Sequence, residues 1–341
     1  MDAVPSDTLL AEAAAELFSR HATAAATRAI LEGGAGTALW AAIEQGGFAD
    51  ALVPEAAGGA GLSPAEALPV LMAAGRHAAP LPLGETMLAR AALAGAGLAA
   101  PPGPIAIAEA LPGQGARGRV AAQGPAEWVL LPEHDGAARL LKAAEATPEE
   151  SSAYGRVLRW AAVENAPVLP PADWLAAGAW ATLAAMAGAL ERMLEETVRY
   201  AGERRQFGRP IAAFQAVQQQ LSVMTEDVFA ARIAARLASL PGGAGLAGLD
   251  TARIAAAKSR IGEAASRAAG IAHAVHGAMG ITAEHELHLW TGLLHRGRLR
   301  FGAESHWNAW LGEAFLRGAE GESLGFVRAR LSPLPVEETT P

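Results

Sequence analysis

From Asp173 onward, apolar residues recur at spacings of three and four over runs too long for anything but helix. Trp180, Leu183, Ala187, Leu190, Leu194, Val198 and Ala201 form one stripe, and Phe214, Val217, Leu221, Met224 and Val228 form the next. A third carries Ile254, Ala257, Ile261, Ala264 and Ala268, and a final pair of helices is expected around Phe301-Gly302. Asp173 offers the side-chain acceptor of an N-cap. The connections are short and glycine-bearing: residues 203–211, Pro241-Gly242-Gly243 and residues 276–280. Long helices joined this tightly must fold back on one another, so residues 171–332 predict an antiparallel four-helix bundle.

The remainder divides in two. Residues 1–100 show helical spacing interrupted by Gly33-Gly34, Gly46-Gly47 and Gly58-Gly59-Ala60-Gly61, which predicts an N-terminal domain of shorter helices. Residues 101–170 change character: proline and glycine punctuate short apolar runs such as Ile105-Ala106-Ile107, Trp128-Val129-Leu130-Leu131 and Val157-Leu158-Arg159-Trp160. These read as strands of a small sheet or partial barrel. The expected class is mainly α with a small β domain, and residues 333–341 read as a loose tail.

Charge and composition narrow the function. A net charge of −8 argues against nucleic acid as a partner. With no cysteine, thiol catalysis, disulfides and zinc–thiolate sites are excluded. The first twenty residues lack the basic segment and apolar core of a signal peptide, and the expected compartment is the cytoplasm. Residues 174–190 are uncharged but alanine-rich, short and bounded by Asp173 and Glu191, so a buried helix is expected there and no membrane span.

The turn Glu203-Arg204-Arg205-Gln206-Phe207-Gly208-Arg209-Pro210-Ile211 places guanidinium groups, which pair well with phosphate, at a helix reversal. Taken alone, such arginines also suit a solvated corner. Three segments together resemble the acyl-CoA dehydrogenase family. Trp40-Ala41-Ala42-Ile43-Glu44-Gln45-Gly46-Gly47, Leu52-Val53-Pro54-Glu55 and Gly58-Gly59-Ala60-Gly61-Leu62-Ser63 are similar to its N-terminal stretch. Arg204 to Gln215 resembles its "RxxFG…Q" signature, and His276-Gly277-Ala278-Met279-Gly280-Ile281-Thr282 its "HGGxGxT" turn. The resemblance implies N-terminal helices, a middle sheet and a C-terminal helical bundle. It also implies FAD as cofactor, α,β-desaturation of an acyl-CoA substrate, and electrons leaving through an electron-transfer flavoprotein. It implies a homo- or hetero-dimer or tetramer in which Arg204, Gln206, Phe207 and Gln215 contact the FAD of a neighbouring subunit. On the same grounds Gly277, Ala278 and Gly280 offer backbone N–H groups to that cofactor, with His276 beside it.

Two departures stand against this pattern. The family's catalytic glutamate precedes a glycine near the end of the chain, and here Phe301 fills that place before Gly302. Some members carry the base early in the first bundle helix, a position that falls on Gly178. Glu304 is the nearest carboxylate and is the candidate displaced base; a glutamate at a helix N-terminus is the alternative reading. The loop lining flavin and substrate, usually "TEPxAGSD", is replaced by Ala108-Glu109-Ala110-Leu111-Pro112-Gly113. Chains that depart in this way act in the family as partners of a catalytic chain.

Weaker constellations remain. His273/His276 and His285/His288 are each spaced by three, but no carboxylate-rich surround accompanies them, and no metal site is expected. Trp290, Trp307 and Trp310 suit packing or a subunit interface. Arg296, Arg298 and Arg300 form a basic cluster open to three readings: a CoA phosphate, solvent or a partner.

Overall fold

The computed structural model describes residues 6–111, 116–121, 124–240, 245–318 and 321–332. The turns expected at Pro112-Gly113 and Pro241-Gly242-Gly243, the first five residues and the tail from Pro333 lie outside these.

Five helices open the chain: α1 (Ser6–His21), α2 (Ala24–Leu31), α3 (Thr37–Gln45), α4 (Pro64–Arg76) and α5 (Leu83–Gly95). The glycine-rich segment before α4 ends in a capping box. Ser63 Oγ accepts from the Glu66 N–H at 3.3 Å, and the Glu66 carboxylate accepts from the Ser63 N–H at 2.8 Å. The Ser63 hydroxyl and N–H hold the Glu66 carboxyl below its ordinary pKa. The first family-like stretch is pinned by Arg90 of α5, which reaches Glu44 at 2.6 Å and Asp50 at 3.1 Å.

The middle segment holds eight strands: β1 (Ile105–Ile107), β2 (Glu109–Ala110), β3 (Ala116–Val120), β4 (Trp128–Pro132), β5 (Ala138–Lys142), β6 (Thr147–Ser152), β7 (Gly155–Trp160) and β8 (Val168–Leu169). They form two four-stranded sheets, ordered β1-β4-β5-β8 and β2-β3-β7-β6, where one small sheet was expected. The chain changes sheet at Ala108, between β1 and β2. Val120, Val129, Leu131, Leu158 and Trp160 fill a separate small core.

The last part contains α6 (Trp174–Glu203), the two-residue strands β9 (Arg205–Gln206) and β10 (Arg209–Pro210), then α7 (Gln215–Ser239), α8 (Thr251–His276), α9 (Leu287–Leu299) and α10 (Glu304–Arg317). Asp173 caps α6, its Oδ1 accepting from the Ala176 N–H at 3.0 Å. Helix α6, 30 residues long, is the axis of the molecule and packs against α4, α7, α8 and α9. At its crossing with α4 the two backbones touch. A Cβ on Gly188 would lie 1.9 Å from the Met72 carbonyl oxygen, and one on Gly75 would lie 1.9 Å from that of Ala185. The uncharged run 174–190 is therefore helix–helix core, and no helix among the described residues is long and apolar enough to cross a membrane.

Candidate functional site

At the C-terminal end of α6 the chain reverses through a miniature hairpin. Gln206 pairs with Arg209 and Arg205 with Pro210, leaving Phe207 and Gly208 as a two-residue turn at φ +52° and +80°. Positive φ at both central positions matches the twist of such hairpins, but it is unfavourable for a phenylalanine. The ring projects outward, 92% exposed. It meets Phe214 edge-on at 6.1 Å, and the Arg209 guanidinium lies 4.1 Å from the Phe214 ring. Arg204, Arg205, Gln206 and Gln215 are exposed, and among the described residues neither arginine has an ion-pair partner.

The second family-like turn lies at the same end of the bundle. Helix α8 stops at His276 because Gly277 adopts φ +57°, and a short 3-10 turn, Gly277–Ile281, follows. Gly277 and Ala278 are exposed and Gly280 is buried. The His276 ring stacks on Tyr200 of α6 at 4.4 Å and meets His285 edge-on at 4.6 Å, while the Tyr200 hydroxyl donates to the His276 carbonyl at 3.3 Å. Burial, with the neighbouring histidines, pushes the His276 pKa down. Its Nδ1 lies 2.7 Å from the Ala272 carbonyl, which assigns the proton to Nδ1. Nε2 is then a buried acceptor with no partner among the described residues. Unpaired guanidinium groups, an outward aromatic ring, an open glycine backbone and a free acceptor are a donor and acceptor set that fits a dinucleotide. No group of three or more histidine, aspartate or glutamate side chains suited to a metal occurs among the described residues.

The positions where the family carries its base lie toward the other end of α6, and they touch. A Cβ on Gly178 would fall 2.4–2.6 Å from the Phe301 ring. Phe301 is buried at φ +52°, with its N–H donating to Glu109 at 3.2 Å and its carbonyl accepting from Trp307 Nε1 at 3.0 Å. Lys258, 1% exposed, closes the same turn by donating to the carbonyls of Gly297, Arg298 and Gly302 at 2.9–3.0 Å. Burial lowers the Lys258 pKa to about 8, against the pull of Glu304 and Glu109.

Glu304 does not stand free in this arrangement. Arg298 donates to it at 2.6 Å. Burial raises its pKa, but Arg298 and its own backbone N–H outweigh burial and hold the carboxyl below its ordinary range. A general base for the α-C–H of a thioester needs the opposite shift. Glu304 lines an open hollow with Glu263, Arg267 and Arg298, outside the cavity between α4, α5, α6 and α9.

That cavity, about 160 Å³, lies where α4 and α5, the strands of the middle segment, α6 and α9 meet. Leu71, Leu83, Val120 and Leu293 supply apolar wall, and Glu85, Arg156, Arg296 and Arg300 line it with charge. Arg300 donates to Glu85 at 2.8 Å and to the Ile107 carbonyl at 3.2 Å, and Glu85 accepts from the Ile107 N–H at 2.6 Å. Glu85 is a site residue that sequence reasoning missed: an acid in the first turn of a helix carries no signal beyond helix-end electrostatics. The basic cluster of α9 divides three ways, with Arg298 on Glu304, Arg300 on Glu85 and Arg296 in the cavity wall.

Residues 172–297 match the family described as "Acyl-CoA dehydrogenase, C-terminal domain". The chain is 33% identical over 292 residues to "Acyl-CoA dehydrogenase IpdE2" of Mycobacterium tuberculosis, covering 83% of this chain and 88% of that protein. A solved structure of a "Tcur3481-Tcur3483 steroid ACAD G363A variant" superposes with a TM-score of 0.75 at 26% identity, over 92% of this chain and 98% of the other. The ChsE4-ChsE5 complex from Mycobacterium tuberculosis gives a TM-score of 0.78 at 24% identity, over 93% and 100%, and shows likeness of fold. On this agreement of sequence and architecture, the chain belongs to the acyl-CoA dehydrogenase family.

Proposed function

We propose that this chain is an FAD-binding subunit of an acyl-CoA dehydrogenase that desaturates the α,β bond of an acyl-CoA thioester and passes electrons to an electron-transfer flavoprotein. Its contribution is to complete the FAD site of a neighbouring chain. Bound FAD supplies acceptance of the hydride from the β-carbon. Arg204 and Arg205 would bind its phosphates, Phe207 would cover an apolar face, and Gln206, Gln215 and the N–H groups at Gly277, Ala278 and Gly280 would fix its orientation.

The observation that carries this reading is the position of the turn relative to the cavity. At ~1.5 Å rise per residue, the run of α6 from Ala185 on the cavity wall to Arg204 covers roughly 30 Å. A flavin reaching the cavity of this chain cannot also rest on this chain's own turn, so the turn serves a second chain. The paired names of the Tcur3481-Tcur3483 steroid ACAD and the ChsE4-ChsE5 complex support an assembly of that kind.

Phe301 seated on Gly178 favours a partner role over self-sufficient catalysis. An aromatic ring fills the place of the carboxylate, and Glu304 is held ionised by Arg298. The cytoplasm is the proposed compartment. Absorbance of the purified chain tests the proposal. A chain that shows flavin absorbance and turns over acyl-CoA only after mixing with a second dehydrogenase chain supports it. Turnover by this chain alone would refute the partner role, and failure to take up FAD alone or in any mixture would refute the whole reading.

A further inference from the structure

The cavity between α4, α5, α6 and α9 holds more positive charge than the chain neutralises. Three guanidinium groups line it, and its sole carboxylate among the described residues, Glu85, is committed to Arg300 and to the Ile107 N–H. Arg156 and Arg296 have no ion-pair or side-chain hydrogen-bond partner among the described residues. Arg156 Nε is buried without an acceptor. Arg296 is partly buried, and burial with no compensating carboxylate depresses its pKa. No acid of the middle segment lines the cavity among the described residues.

Both residues are partly withdrawn from water without a partner, which carries a cost, and two such groups on one cavity favour an anion that arrives with a ligand. The rest of the wall describes the ligand's body. Leu71, Leu83, Val120 and Leu293 offer no hydrogen bonds, and about 160 Å³ matches a body of one small ring or a short branched chain. A phosphate would come on a sugar, whose hydroxyls would face these side chains unpaired. A carboxylate can end an apolar body directly.

We propose that this cavity binds a small organic acid, its apolar body against Leu71, Leu83, Val120 and Leu293 and its carboxylate neutralised by Arg296 and Arg156. Placing that acid at the far end of an acyl thioester, so that the ligand is the half-thioester of a dicarboxylic acid, rests on the proposed function. The acid site itself does not.

Calorimetric titration of the full chain, with neither flavin nor CoA present, tests the site with benzoate, its neutral isostere benzamide, inorganic phosphate and ADP. Benzoate is expected to bind about tenfold or more tightly than benzamide. Arg296→Gln should abolish the preference, Arg156→Gln should reduce it, and Arg296→Lys should keep part of it. The comparison of the two probes on the unmodified chain decides the matter even if a variant fails to fold. Equal affinity for benzoate and benzamide, no benzoate binding at millimolar concentration, or tighter binding of phosphate or ADP in competition with benzoate would each overturn the proposal. Flavin uptake is read separately by absorbance, so failure of the acid site and failure of the flavin reading are distinct results.

Discussion

Phe301 and Gly178, the two positions that the resemblance marks for a base, are packed together as core. The ring lies where any side chain on residue 178 would have to go, so the two residues form one packing unit. Gly178→Ala is expected to destabilise the chain by about 1–3 kcal/mol through overpacking. In a Phe301→Ala background the same substitution should cost close to nothing, because the space has opened; equal costs in both backgrounds, read by urea unfolding, would disprove the coupling. Lys258 makes a pH-dependent contribution through the same turn. Its folded-state pKa of about 8 lies below the ordinary 10.5, so between these values the unfolded chain binds more protons than the folded one. Stability from this group therefore rises with pH across that window, by up to the order of 3 kcal/mol, as the cost of the buried charge is relieved. The difference between wild-type and Lys258→Met unfolding midpoints, followed from pH 7 to 10.5, isolates it; a flat difference curve would contradict the assignment. Phe207 behaves in the opposite sense to a core aromatic. Phe207→Gly removes the penalty of positive φ and should raise stability by about 1 kcal/mol. The same change should weaken FAD binding in the assembled protein. Strain at 92% exposure fits the contact with a neighbouring chain's cofactor proposed for Phe207.

At the scale of elements, the helices were legible in the sequence because each carries its own evidence. Asp173 caps α6 as expected; the stripe from Ile254 is buried throughout, that from Trp180 faces the core except at exposed Val198, and that from Phe214 enters the core only at Met224 and Val228. The reversal at Phe207-Gly208 was visible as a turn, though its hairpin pairing was not. The sheets were harder to read. Strands β2 and β8 are two residues long, too short for alternation to register, and the change of sheet at Ala108 depends on partners distant in the sequence. The Glu85–Arg300 pair was illegible for the same reason: the two residues are 215 positions apart, and neither has a local signature. Glycines show how context overrides propensity within helices. Gly188 of α6 meets the Met72 carbonyl of α4, so Gly188→Ala should force the helices apart at a cost of about 3 kcal/mol or more. Gly270 of α8 has nothing within 4 Å of a built Cβ, and Gly270→Ala should stabilise by about 0.5–1 kcal/mol. Thermal melts of the two variants should move in opposite directions, and parallel shifts would mean that the α4–α6 contact is not as close as the structure places it.

At the scale of the whole molecule, α6 sets the constraint on assembly. One end of this helix carries the exposed turn, stacked through Tyr200 onto the His276 turn, and the other end forms a wall of the cavity. A rigid helix buried over most of its length cannot bend these ends together, since α4 and α8 hold its middle and its glycine crossings leave no slack. On the proposed function the two ends would serve different neighbours, and flavin affinity should depend on assembly. Bound FAD stabilises the associated state by mass action, and association completes the flavin site, so the two equilibria are linked. Sedimentation velocity followed at a flavin wavelength should therefore show FAD moving with the oligomer and released as the protein is diluted below the dissociation constant of the oligomer. Added FAD should shift that dissociation to lower protein concentration. Arg204→Ala combined with Arg205→Ala should weaken FAD binding by about tenfold to a hundredfold, since charge-assisted phosphate contacts are lost, without changing the thermal stability of the unliganded chain. FAD that sediments with a monomer at undiminished affinity would refute the division of the flavin site between chains, because the span of α6 leaves one chain unable to supply both halves.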